Sequence, residues 1–499
     1  MKKFNKILSL LLVFSFLLLS VGCKTSELEK KSADLVNYYI DANYDDVTHT
    51  VTASQIVDYI NTTETDLNVV CFKLYPTAFS KDAKVLPYTN ANKDKCFPNG
   101  LSYGDIEISN VKVEDADAEW AIIGEDNNIL EVKLFVPLEN LKRVKISFDF
   151  VLTLANTTHR LGYYDSYVNL GNWYPICCAY QNNQFDMSPY YSTGDPFFST
   201  CANYDVNFTY PNNYIVASTG QLVTTTQAEK ITSSYSAKVV RDFALNLGSN
   251  YKVLSETVGD TVVSVYCDKD DVNAESHLKT SVDSLNTFNK LFGIYPYKTL
   301  NVSFTPFLHG GMEYPNLVFI ADDIADIVSI NKVIIHEIAH QWWYGIVGNN
   351  EITDAWFDES FAEYSTVLFF ENNPDYGITK DQLINEAIAN YTLYLDVIKS
   401  LKLDINTEMN LKLNEYKNEY EYVYMVYIKG MVFVDGLRNK IGDEAFFKGL
   451  KLLYENNKYE ILDKTKFIEA FNTASGEDIT ELVETWLGGS VLLEELQAS

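Results

Sequence analysis

Alternation of apolar and polar positions marks the first half of the chain. Over residues 143–150, Val144, Ile146, Phe148 and Phe150 alternate with Arg143, Lys145, Ser147 and Asp149, the period of two that a half-buried strand requires. Similar alternation runs through 106–113, 132–136, 205–210 and 214–218, with Asn, Gly and Pro between the segments. Short strands divided by turn residues predict an antiparallel sheet domain, a sandwich or a saddle, over residues 46–250. Near residue 275 the period changes to that of a helix. Residues 276–292 read as a helix stopped by Gly293 and Pro296, 300–304 as a strand, and 330–344 as a second helix ending at Gly345. From Thr379 onward three or four more amphipathic helices follow, 443–455 and 480–487 among them.

The amino-terminal residues follow another rule. Lys2, Lys3 and Lys6 begin the chain, and an apolar run from Ile7 to Val21 follows, broken only by serines. The run is shorter than the ~20 residues of a membrane span, so it reads as an export signal. Ser20-Val21-Gly22-Cys23 and the polar stretch after it resemble a bacterial lipoprotein signal, although Ser20 departs from the aliphatic residue usual there. That resemblance implies a signal peptide over 1–22, a lipid on Cys23, a tether over 23–45, and a chain anchored to the outside of the cell membrane. The alternative is an ordinary signal peptide with an incidental cysteine.

Charge then removes one class of partner. The 499 residues carry 68 Asp and Glu against 39 Lys and Arg, a net charge of −29, and losing the three signal lysines takes this to −32. Such a surface repels phosphate backbones, which excludes general nucleic-acid binding. The length predicts more than one domain, and 47% hydrophobic residues are enough for a sizeable core. Cys71, Cys96, Cys177, Cys178, Cys201 and Cys267 remain beyond the signal, an even number that permits disulfides in an exported protein.

The second helix carries the candidate chemistry. Of six histidines, three fall between 309 and 340, and His336-Glu337-Ile338-Ala339-His340 holds two of them four residues apart. That spacing puts both imidazoles on one helical face, within reach of one Zn²⁺, with Glu337 beside the first ligand and able to hold a water on the same ion. A catalytic zinc needs a third protein ligand. Glu359, nineteen places after His340 in Trp356-Phe357-Asp358-Glu359-Ser360-Phe361-Ala362, stands on another predicted helix with Thr353 or Asp354 as N-cap. Glu363 follows one turn later on the same face. It is either a partner for a ligand histidine or a solvated surface acid.

These motifs resemble the gluzincin metallopeptidases, whose pattern is H-E-x-x-H, eighteen residues, then E, and within them the M1 family of zinc aminopeptidases. Residues 356–362 are similar to that family's W-L-N-E-G-F-A, with Asp358 and Ser360 in place of Asn and Gly. His309-Gly310-Gly311-Met312-Glu313-Tyr314 is similar to its G-x-M-E-N segment, with Tyr314 replacing Asn. The resemblance implies that Gly311 and Met312 lie along a peptide substrate and that Glu313 binds its free α-amino group. Tyr427-Ile428-Lys429-Gly430 is similar to Y-x-K-G, which implies that Tyr427 donates to the oxyanion; Tyr422 and Tyr424 stand close by as alternatives. Glu337 is implied as general base.

The implied fold is multidomain. An N-terminal antiparallel β-sandwich or saddle precedes a thermolysin-like α/β catalytic domain ending in a helical region, with a zinc-binding part over 251–376, helices over 377–490 and a tail over 491–499. The family's motif at the end of the N-terminal domain survives only as Gly194-Asp195-Pro196, and no second amine-binding residue is legible. A thermolysin-type endopeptidase and a non-catalytic surface-binding lipoprotein are the rival readings.

Overall fold

The computed structural model describes residues 27–491; Cys23 and the signal lie outside them. Among the described residues no helix is long and apolar enough to cross a membrane. The N-terminal region is built on an eight-stranded sheet in which Asn37–Asp45 lies between Ala202–Pro211 and Thr50–Ile60. Its pairing with Ala202–Pro211 is parallel and the sheet's other pairings are antiparallel. The expected alternation is explicit in Arg143–Thr153, where Val144, Ile146, Phe148, Phe150 and Leu152 are all buried. Two four-stranded sheets pack with it. Residues 37–45, assigned above to a tether, are therefore a central strand. Tyr38, Ile40, Ala42 and Tyr44 face the core, while Tyr39 stands exposed beside Asp41, so aromatic residues on both faces blur the contrast.

The second half starts with a five-stranded sheet in the order Tyr251–Val258, Thr261–Asp268, Thr299–Thr305, Leu317–Ala321, Gly311–Met312. The two inner pairings are parallel, and Gly311–Met312 is a short antiparallel edge. Two helices lie next to it in sequence: the histidine helix, Ile327–Ala339, and the glutamate helix, Glu351–Asn372. Asp326 caps the first by accepting from the backbone N–H groups of Val328 and Ser329, satisfying donors that a first turn leaves free.

Both helix ends differ from the sequence expectation. The histidine helix stops at Ala339 with His340 as C-cap. There the backbone turns, Gly345 N donating to His340 O and Trp343 bridging to Val347. The glutamate helix is capped by Asn350 and breaks from helical geometry at Asp354 (φ −135°, ψ 33°). An irregular first turn thus precedes the regular helix that carries Glu359.

A cluster of rings holds the glutamate helix in place. Trp356 meets Phe467 edge-on at 5.4 Å between centroids, and Phe433 packs on Trp486 at 5.7 Å. Truncating such a buried ring costs about 3–5 kcal/mol. Arg241 joins the halves: fully buried, it donates from Nε to Tyr344 O (2.7 Å), from Nη2 to Glu460 O (2.7 Å) and from Nη1 to Ser199 O (3.2 Å). The six cysteines among the described residues are free thiols, so the disulfides that composition permits are not formed.

Candidate active site

A cavity of about 350 Å³ opens between the N-terminal region, the edge strand and the helices. His336, His340 and Glu359 converge on its wall. The two histidine Nε2 atoms are 3.0 Å apart, and Glu359 Oε2 lies 3.2 Å from one and 3.3 Å from the other. A tetrahedral ion with bonds of about 2.0–2.1 Å holds its donors about 3.3 Å apart, so the triangle has zinc dimensions. Placing His340 at the helix terminus preserves this approach and lets its Nδ1 pair with Trp343 O at 3.0 Å. His336 Nδ1 lies 3.2 Å from Glu363 Oε1, an ion-pair distance without the geometry of a hydrogen bond. The donor set fits one zinc ion, with His340 oriented from behind by Trp343 O.

The charge balance points the same way. Glu313, Glu337, Glu351, Asp358 and Glu359 are five buried carboxylates around this triangle. Burial raises Glu313, with Asp195 adding to the effect, and raises Glu337 against the pull of His336. Burial acts upward on Glu359 too, but the neighbouring His340 and His336 outweigh it and hold the group well below the usual carboxylate range. A divalent cation offsets this concentration of negative charge.

Two carboxylate oxygens in the cavity have no hydrogen-bond partner, Glu337 Oε2 and Glu313 Oε1. The edge strand passes close over the first of these acids: a Cβ on Gly311 would collide with the Glu337 carboxylate at Oε1, so glycine leaves that side chain in place. Met312 beside it is buried rather than lining the cavity. A Glu313 oxygen lies within 4.8 Å of a His340 nitrogen and of an Asp358 oxygen. Tyr314, where the resemblance has Asn, points away and donates to Asn172 Oδ1 at 2.9 Å.

Tyr427 sits in a π-helical stretch, Tyr424–Lys429, of the kind that often marks functional positions. Its hydroxyl donates to Glu359 Oε1, and its ring lies parallel to His336 at 5.9 Å. Tyr424 turns elsewhere and stacks on Tyr394 at 4.3 Å. Tyr422 does line the cavity, and its hydroxyl is buried without a partner. The substituted Ser360 donates to Val426 O at 2.9 Å, and a Cβ on Gly430 would meet Ser360 Oγ at 2.1 Å. That glycine therefore seats the tyrosine turn directly on the glutamate helix.

Sequence reasoning missed several lining groups. Arg160 bonds Asp195 at 2.6 Å, and both face the cavity; Gly194-Asp195-Pro196 was the available signal. Glu351, buried behind the cavity wall, carried no signal, because nothing in its local pattern distinguishes it from an ordinary helix acid.

Residues 276–486 match the Peptidase family M1 domain. The chain is 29% identical over 184 residues to aminopeptidase N of Lactococcus lactis subsp. lactis, covering 36% of this chain and 21% of that protein. It is 32% identical over 203 residues to aminopeptidase B of Rattus norvegicus, covering 38% and 29%. The alignments thus span less than a third of either relative's length. In fold, the chain is similar to a mutant M1 zinc metallopeptidase from Deinococcus radiodurans bound to a Tyr-Ser-Ala substrate, with a TM-score of 0.64, 16% identity, and coverage of 92% of this chain and 95% of that one. Over residues 276–486 the chain is thus similar to the Peptidase family M1 domain, and its fold is similar to that of the M1 zinc metallopeptidase.

Proposed function

We propose that this protein is a zinc-dependent aminopeptidase that removes N-terminal residues from peptides, held outside a bacterial membrane by a lipid on Cys23. The observation that carries the peptidase reading is the unpartnered, buried carboxylate oxygen of Glu313 facing the same cavity as the His336–His340–Glu359 triangle. A peptide α-ammonium is a cation of the right size to satisfy it. Fixed beside His340, that carboxylate counts one residue from the substrate's amino terminus to the reacting carbonyl.

His336, His340 and Glu359 would hold the zinc ion, which when bound would supply Lewis acidity to a water and to a peptide carbonyl. Glu337 takes the proton of the attacking water on its free Oε2 and passes it to the leaving nitrogen, a role suited to a carboxylate whose proton affinity burial has raised. The Tyr427 O–H, which donates to Glu359 Oε1 in the structure, would turn from that carboxylate to the oxygen that becomes negative, a contact worth about 3 kcal/mol for one such donor. The test is turnover of a panel of fluorogenic aminoacyl amides by protein beginning at residue 24, with and without chelator. Activity lost to the chelator and restored by zinc supports the reading; activity indifferent to metal, or none on any amide or free peptide, overturns it.

A further inference from the structure

The cavity is lopsided in charge, and the exception lies at one end. Seven acids line it, and its two cations are Arg160 and Lys332. Arg160 is committed to Asp195 at 2.6 Å. Among the described residues, the ion pair of Lys332 is with the exposed Glu386 at 3.6 Å, longer than a charge-assisted hydrogen bond of about 2.7–2.9 Å.

Its position along the histidine helix gives this cation a use. Glu313 stands next to His340, where the helix ends, whereas Lys332 is eight residues earlier, about 12 Å back along the axis at 1.5 Å per residue. If Glu313 holds the amino terminus, the residues leaving after cleavage extend toward Lys332. An extended di- or tripeptide spans about 7–10 Å, and a polar contact of about 3 Å at each end brings the reach to about 13–16 Å, of the order of that rise along the helix with the lysine stem added. Asn390, from the helix Lys380–Ser400, lines the same end and offers an amide N–H₂ beside the ammonium.

We propose that Lys332, assisted by Asn390, binds the free C-terminal carboxylate of di- and tripeptides, so that the enzyme prefers short peptides with an intact carboxylate. This rests on the aminopeptidase reading above. Glu386 then acts as the carboxylate that a substrate must displace.

The test compares kcat/KM for Leu-Ala and Leu-Ala-Ala as free acids with the same peptides as C-terminal amides, in the full protein and in Lys332→Met and Glu386→Gln. The parent should favour the acids about threefold, mainly through KM. Lys332→Met should bring the ratio close to one, and Glu386→Gln should raise it. Equal turnover of acids and amides by the parent, or a ratio untouched by Lys332→Met, overturns the proposal. A parent that cleaves neither form, and no aminoacyl amide, contradicts the aminopeptidase reading instead. Because the comparison is a ratio within each variant, a general loss of folding or zinc cannot imitate the expected result.

Discussion

Removing the Glu363 carboxylate should loosen the zinc without touching a ligand. Glu363 Oε1 lies 3.2 Å from His336 Nδ1, with side-chain exposures of 24% and 12% respectively. With zinc on Nε2 the proton sits on Nδ1, and the carboxylate beside it would attract that proton and keep Nε2 basic toward the metal. Losing such a partner weakens metal affinity by roughly 10–100-fold, about 1.4–2.7 kcal/mol. Glu363 is about a quarter exposed, so water can partly replace it, which places Glu363→Ala near the lower figure, about tenfold. Glu363→Gln keeps an acceptor oxygen without the charge and should fall between alanine and the parent. Competition with a chromogenic chelator gives the zinc dissociation constants directly. An alanine variant that binds zinc within about twofold of the parent would refute the orienting role and leave Glu363 as a surface acid that happens to lie near His336.

Three further outcomes follow from the same geometry. Tyr427→Phe should lower kcat by roughly 10²–10³-fold with zinc content unchanged, while Tyr424→Phe, whose ring stacks on Tyr394, should change it little; the reverse pattern in steady-state kinetics would move the oxyanion donor. Glu337→Gln should keep one zinc per chain by elemental analysis and lose about 10²–10⁴-fold in turnover; near-parental turnover would show that another group carries the proton. Lys429 is buried with only Thr407 O (2.7 Å) and Trp486 O (3.3 Å) as acceptors, and burial lowers its pKa to about 8. The unfolded chain then binds more protons than the folded one between about pH 8 and 10.4, so this group makes stability rise with pH across that window. Denaturant melts at pH 8 and 9.5 should show the parent gaining about 1–2 kcal/mol relative to Lys429→Met; parallel changes in the two proteins would refute the assignment.

Local pattern made the site's metal ligands legible because a helix converts a spacing of four into adjacency. The same holds for the strands whose two faces differ strongly in polarity, such as Arg143–Thr153. Asn37–Asp45 escaped because tyrosines occupy both faces, and its parallel partner lies more than 160 residues away. Tertiary contacts, not propensity, ended the histidine helix at Ala339: His340 has to turn toward Glu359 while its other nitrogen meets Trp343 O. The roles of Gly311 and Gly430 also appear only in three dimensions, since each glycine is required by a side chain from a different element, Glu337 in one case and Ser360 in the other. Lys332 was visible as a residue from the start. It acquired a meaning when Glu313 gave the cavity a direction.

On the proposed function, this cavity admits a free amino terminus and releases one residue from it. Mass spectrometry of an eight- to ten-residue peptide incubated with the zinc-loaded protein, once with a free α-amino group and once Nα-acetylated, tests it most directly. The account predicts stepwise loss of single residues from the free peptide and an intact acetylated peptide, because acetylation removes the cation that Glu313 binds. Internal cleavage of the acetylated peptide at a comparable rate would contradict it and identify an endopeptidase of the thermolysin type.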